Sequence, residues 1–188
     1  MNPLIIANVW ASHELAQVKA LDLCFSPNFR VVTPLNLDFG TVWRVPDSNK
    51  YLVNWTKRFL VRFLQESFDS LVKIDPDTVL STLPAMPKNC DVAGDFRKSP
   101  VGWVWLGACQ YYTRAAVMML LADPVYTGGC YFQDVALASS VARLNLRAYN
   151  MPEIDGWSLP DSTAAVKHPS HGSTVLSKRA PGLVDFQL

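Results

Sequence analysis

Three short apolar runs, set apart by helical patterns, constrain the fold of this chain more than any other feature. Leu4 to Val9, Phe29 to Thr33 and Leu71 to Ile74 are too short for buried helices and rich in Leu, Ile and Val, which reads as strands buried on both faces. Between the first two, Ser12 stands as an N-cap and Glu14 in the first turn of a helix reaching about Leu23. Before the third, Asn54 to Ser67 carries Phe59, Leu60, Phe63 and Leu64 at helical spacing. Strand, helix, strand, helix, strand predicts an α/β fold with a mainly parallel central sheet and crossover helices on its faces.

The remainder is less regular. Leu35 to Pro46 reads as irregular or as a short extended piece. Asp91 to Phe96 and Val101 to Trp105 read as strands around the turn Arg97-Lys98-Ser99-Pro100. Thr113 caps a helix to Leu121 that stops at Ala122-Asp123-Pro124, and Gln133 to Leu144 is a second helix with Asp134 in its first turn. Leu146 to Tyr149 reads as a short strand, and from Met151 on, Pro, Gly, Ser and Asp predict a long surface loop. The 188 residues fit one domain. Its expected parts are a first half over 1–83, a second over 84–150 and a tail over 151–188.

Charge and cysteine usage exclude several classes. The 17 Lys and Arg against 16 Asp and Glu leave a formal net charge of +1, which argues against broad electrostatic capture of nucleic acid. Cys24, Cys90, Cys109 and Cys130 form no C-x-x-C pair, so neither a zinc ribbon nor a disulfide-dense scaffold is expected. The N-terminal apolar run is shorter than a signal peptide or membrane span requires. A reducing, cytoplasmic setting with mostly structural thiols is the expectation.

The chemistry concentrates in Val72-Lys73-Ile74-Asp75-Pro76-Asp77. Two carboxylates, one residue apart, follow an apolar strand, and ligands of open α/β sheets bind outside such strand ends. An extended D-x-D can share a hard cation such as Mn²⁺ or Mg²⁺, which bridges a diphosphate. The same residues also occur in ordinary solvated turns. Two reactions use such a pair: metal-dependent glycosyl transfer, and phosphoryl transfer with Asp75 as covalent nucleophile. Asp75-Pro76-Asp77-Thr78-Val79 satisfies the pattern of the second, but Lys73 interrupts the strand that would support the nucleophile.

Asn54-Trp55-Thr56-Lys57-Arg58, a helix, and then Leu71 to Leu80 resemble the β-1,3-glycosyltransferases of the galactosyltransferase and Fringe type. Gly107 to Arg114 is similar to that family's G-x-x-Y-x-x-S segment, and GGCYFQDV (128–135) to its E-D-V helix start, with Gln133 in place of Glu. The likeness covers about Asn54 to Leu144. It implies a Rossmann-like GT-A glycosyltransferase fold with a nucleotide-binding half and an acceptor-side half. It also implies an inverting transfer from a nucleotide diphosphate sugar, UDP-linked by preference, to an acceptor hydroxyl. Asp75 and Asp77 would meet the metal and the diphosphate, Asp134 would be the general base, and the family's basic helix residue falls at Lys57 or Arg58.

Other residues are candidates around that frame. His168, or failing it His171, would be a third metal ligand, with Lys167 beside it for diphosphate charge. Asn8 and Trp10 end the first strand, where a base and ribose would lie, and Asp38 follows the second. Lys73 joins this nucleotide-side set. Asp95, Trp105 and Gly107 are the candidates for the sugar and acceptor side, Trp105 because sugars pack on indole faces. A catalyst that is a phosphatase or phosphotransferase, and a non-catalytic nucleotide-sugar-binding module, are the alternatives. Nucleic acid is not favoured as an acceptor.

Overall fold

In the computed structural model, residues 3–9, 11–45, 52–100, 102–124, 133–156, 163–167 and 181–187 are described, with backbone alone for 52–55. The three apolar runs are strands. β1 is Leu4–Asn8 and β2 is Phe29–Thr33; β3, Thr41–Arg44, is a short extended piece within the stretch expected to be irregular or extended; β4 is Ser70–Ile74. Every residue of β1 and β4 is buried, as continuous apolar strings covered on both faces require. A single 3₁₀ turn, Ser12–Glu14, precedes α1, Leu15–Phe25. The expected Ser12 cap is displaced: Ala11 occupies the N-cap position, and its backbone N–H donates to Glu14 Oε2 at 3.1 Å. α2 spans Leu52–Phe63.

Beyond β4 come β5 (Val79–Leu80), β6 (Val92–Ser99) and β7 (Gly102–Thr113). α3 (Arg114–Ala122) begins at Thr113, whose side-chain oxygen accepts from the Ala116 N–H at 3.2 Å, as the sequence predicts. α4 (Gln133–Arg143) ends at Asn145, which takes the left-handed conformation (φ 53°) that closes helices. β8 (Ala148–Asn150) falls on the short strand expected over Leu146 to Tyr149, and the short strands β9 (Ile154–Asp155), β10 (Val166–Lys167) and β11 (Gly182–Leu183) lie where a long loop is expected.

The fold is α/β with an eight-stranded sheet in the order β11-β8-β6-β7-β4-β1-β2-β3. The run β3-β2-β1-β4 is parallel throughout. The expectation of a mainly parallel sheet is corrected in the other half. There β7 lies antiparallel to both β4 and β6, and β11 antiparallel to β8. For β6 and β7 the cause is local: they meet at Ser99 and Gly102, a connection so short that only an antiparallel return is possible.

Two apolar clusters sandwich the sheet. One gathers Leu4, Ile6 and Leu71 with Phe59, Leu60 and Phe63 of α2 and with α3 and α4. The other gathers Ile5, Ala7, Val72 and Ile74 with Val18 and Leu21 of α1. Strand alternation therefore puts Asn8, Lys73 and Asp75 on the face of α2, α3 and α4. A second, three-stranded sheet, β5-β10-β9, lies past the end of β4.

Candidate functional site

The strand order reverses at β1. The chain builds outward through β2 and β3, then returns to place β4 on β1's other side. Such a reversal opens a crevice outside the carboxyl ends of the two central strands. Ala7 pairs with Ile74, so the next residues up, Asn8 and Asp75, stand at that crevice together. Asn8 is 3% exposed and its Oδ1 is buried without a hydrogen-bond partner.

Asp75 opens a tight turn. The Thr78 N–H donates to its carbonyl at 3.0 Å, and its own N–H donates to Ala108 O at 3.2 Å. Thr78 is buried and fixes the turn from below: its hydroxyl donates to Ala108 O at 3.1 Å, and Gln17 Nε2 donates to Thr78 O at 2.7 Å. Both Asp75 and Asp77 keep partial exposure. The D-x-D thus sits on a turn braced from β7 and α1. Thr78 entered the sequence analysis only as part of the D-x-D-T-V pattern, and nothing local in the sequence marks Gln17 for this role.

Lys73 is 4% exposed, and its Nζ is ion-paired with Asp75 Oδ1 and donates to Gly107 O at 3.1 Å. Its basic group therefore belongs to the acidic turn, not to the strand interior. Gly107 lies in an irregular stretch of β7. On β6 one residue separates Ala93 from Asp95, whereas their partners on β7, Tyr111 and Leu106, enclose Gly107 to Gln110. Bulges bend a strand and re-aim its groups, often next to functional sites. Gln110, fully buried, spans this one, donating to Trp105 O at 2.9 Å and accepting from the Tyr112 hydroxyl at 2.9 Å.

Two acceptor-side candidates are relocated. Trp105 is fully buried, stacked on Phe96 with centroids 4.9 Å apart and tilted against Tyr112 at 4.8 Å. It is a core residue with no open face for a sugar. Asp95 is also fully buried. Arg97 grips it through Nε (3.0 Å) and Nη2 (2.8 Å), and the Gly156 N–H donates to it at 2.8 Å. Arg97 Nη2 also reaches Asp155 Oδ1 at 2.8 Å. Burial works against the guanidinium charge, yet Asp95 and Asp155 together hold its pKa above the ordinary value. This network ties β6 to β9 and places Gly156 against Leu106, the neighbour of Gly107.

Lys167 lies in the small sheet, in β10. It pairs with Val79, two residues past Asp77, and with Asp155. Asp134 is in the first turn of α4. That helix packs along β7 and leads into β8, whose first residue Ala148 pairs with Val92, far from Gly107. The start of α4 is thereby directed toward the end of the sheet where β4 delivers Asp75. Two residues lie apart from the turn: Asp38 is exposed beyond β2, and Arg58 is exposed on α2 beside β3. Trp10, His168 and His171 are outside the described residues.

Among the described residues no three His, Cys, Asp or Glu side chains are grouped to hold a metal ion. Asp75 and Asp77 supply two hard oxygen donors, a set that suits Mg²⁺ or Mn²⁺ completed by water and phosphate oxygens. No helix among the described residues is long and apolar enough to cross a membrane. No protein-family model matches this chain, and no curated protein matches it.

Proposed function

We propose that the protein is a metal-dependent, inverting glycosyltransferase of Rossmann-like GT-A type, moving a sugar from a nucleotide diphosphate, UDP by preference, to an acceptor hydroxyl. The observation that carries this reading is the D-x-D turn at the strand-order reversal, with the buried Lys73 ammonium beside it. A diphosphate leaving group needs positive charge, and a formal net charge of +1 gives the chain little overall excess to provide it. A cation held by Asp75 and Asp77 would neutralise the departing diphosphate. Lys73 and Lys167 would add charge on the same side. Asn8, buried with an unused acceptor oxygen at the crevice, offers that oxygen to a donor group of the nucleotide.

Asp134 would take the proton of the acceptor hydroxyl, since an inverting displacement requires a base opposite the leaving group. Its place in the first turn of α4 favours the ionised form through the helix dipole. The test is UDP binding by calorimetry with and without Mn²⁺. Wild type should show Mn²⁺-stimulated binding that Asp75→Ala and Asp77→Ala abolish. Stimulated binding that survives both substitutions overturns the site. A beryllium fluoride adduct on Asp75, without any affinity for UDP, would favour the phosphotransferase alternative instead.

A further inference from the structure

On the reading of Asp75 and Asp77 as a metal site, we infer that Thr78 and Gln17 are its positioning residues, and that the brace they form makes the turn prefer a small divalent cation, Mn²⁺ or Mg²⁺, over Ca²⁺. Asn8 is a sign of a ligand independent of the two carboxylates. It stands at the same crevice, 3% exposed, and its Oδ1 has no hydrogen-bond partner.

Asp75, Pro76, Asp77 and Thr78 form a turn closed by the Thr78 N–H, which donates to Asp75 O at 3.0 Å. Pro76 fixes its own φ within it. Both ends of the turn are tied to one atom. Ala108 O accepts from the Asp75 N–H at 3.2 Å and from the Thr78 hydroxyl at 3.1 Å. A carbonyl oxygen has two lone pairs, so it can hold both. Thr78 is 1% exposed, so its hydroxyl cannot trade this bond for bulk water. Gln17 closes the brace from α1, its amide donating to Thr78 O at 2.7 Å.

The brace decides which oxygens a cation can reach. Ca²⁺ takes about six to eight, and calcium loops reach that number with backbone carbonyls and bidentate carboxylates. In this turn the Asp75 carbonyl is engaged by the Thr78 N–H and the Thr78 carbonyl by Gln17. Lys73 is ion-paired with Asp75 Oδ1, which disfavours a bidentate grip by that carboxylate. Mg²⁺ keeps several waters and asks for only one or two protein carboxylates, and Mn²⁺ suits the same oxygen donors. A turn fixed in advance also does not have to be ordered when the cation arrives. Thr78 and Gln17 do this through the backbone of the turn, with neither side chain needed as a ligand.

The experiment is calorimetry on the full chain with Mn²⁺ alone and with Ca²⁺ alone. Wild type should bind Mn²⁺ more tightly than Ca²⁺ by about tenfold or more. Thr78→Val and Gln17→Met should each weaken Mn²⁺ by about tenfold, the low end for residues that orient metal ligands. Ca²⁺ should bind both variants as well as wild type or better, because turn carbonyls are released to it. Thr78→Ser, which keeps the hydroxyl, should behave as wild type. Gln17 is half-buried, so Gln17→Met carries the test if Thr78→Val does not fold. Val117→Ala is the control for general loosening: Val117 is buried in α3, which follows Thr113, the partner of Ser70 at the far end of β4. Variants that keep the wild-type ratio of the two affinities, or the same narrowing in Val117→Ala, overturn the inference while the metal site stands. A wild type without preference for Mn²⁺ over Ca²⁺ does so too. A wild type that binds neither cation overturns the metal site and the brace together.

Discussion

A β-carbon on Gly107 would overlap the Asp75 carboxylate and stand 3.0 Å from Lys73 Nζ. The bulge of β7 therefore accommodates the acidic turn only because residue 107 has no side chain. Gly107→Ala should push Asp75 outward and break its pairing with Lys73. Side-chain ends can yield here, so stability should fall by only about 1 kcal/mol, the low end for overpacking. Mn²⁺-stimulated UDP binding should fall far more, about tenfold or beyond, as binding groups are displaced. Paired calorimetry and urea melts check this; unchanged binding alongside a large stability loss would make Gly107 purely structural.

Lys73 and Asp75 neutralise each other within the turn. Lys73→Met keeps the volume but removes the positive charge. Two outcomes of opposite sign follow. A bare divalent cation should bind more tightly, because Asp75 no longer has a competing ammonium. UDP in the presence of that cation should bind more weakly, because its diphosphate loses one positive neighbour. Isothermal titration of Mn²⁺ alone and then of UDP at saturating Mn²⁺ separates them; movement of both in the same direction would contradict the pairing argument.

Asp134→Asn should retain Mn²⁺-dependent UDP binding and lose transfer to acceptor by about two orders of magnitude or more, the usual weight of a positioned base. Because Asp134 starts a helix, the neutral side chain should cost less than about 1 kcal/mol of stability. Transfer assays with single-turnover conditions are the measurement. Full activity in the variant would remove Asp134 from the reaction.

The Asp95–Arg97–Asp155 network makes a prediction about stability. Arg97→Met leaves two buried carboxylates without their cation, a loss of about 3–5 kcal/mol for pairs of this kind. Removing all three charges with Asp95→Asn/Arg97→Met/Asp155→Asn should recover much of it. Urea denaturation of the single and triple variants decides between the two cases.

β1, β2 and β4 were legible because each is a short, mostly apolar run and the helices between them carry their own periodicity; β3, Thr-Val-Trp-Arg at the edge of the same parallel half, has no such run. Phe29–Thr33 matches its strand residue for residue. The antiparallel half was legible in part: two strands around a turn were expected over Asp91 to Trp105 and both exist, with other bounds. The strand expected to end at Trp105 continues to Thr113. Gln110 is the polar brace of a bulge, which only the tertiary pairing reveals. At the site, proximity to the strand end identified Asp75, Asp77 and Lys73. Trp105 was misplaced because alternation cannot say which face of a central strand meets solvent, and here both faces are covered. The Arg97–Asp155 bond joins residues distant in the chain, so no local pattern carries it.

Alkaline pH should destabilise the protein through Cys109. Burial pushes its thiol pKa up to about 12 from an ordinary 9.0. The neighbouring Tyr111 hydroxyl, which donates to Pro84 O at 2.6 Å, is also raised by burial. A raised pKa means that the folded state holds its proton more tightly than the unfolded chain. The stabilisation is complete below the unfolded value and is lost as pH climbs from about 9 toward 12. For a three-unit shift the limit is about 4 kcal/mol. Urea midpoints for wild type should therefore fall between pH 8 and pH 10.5, and Cys109→Ala should show a lower midpoint at pH 8 but a shallower fall. Parallel slopes for the two proteins would exclude the thiol as the titrating group.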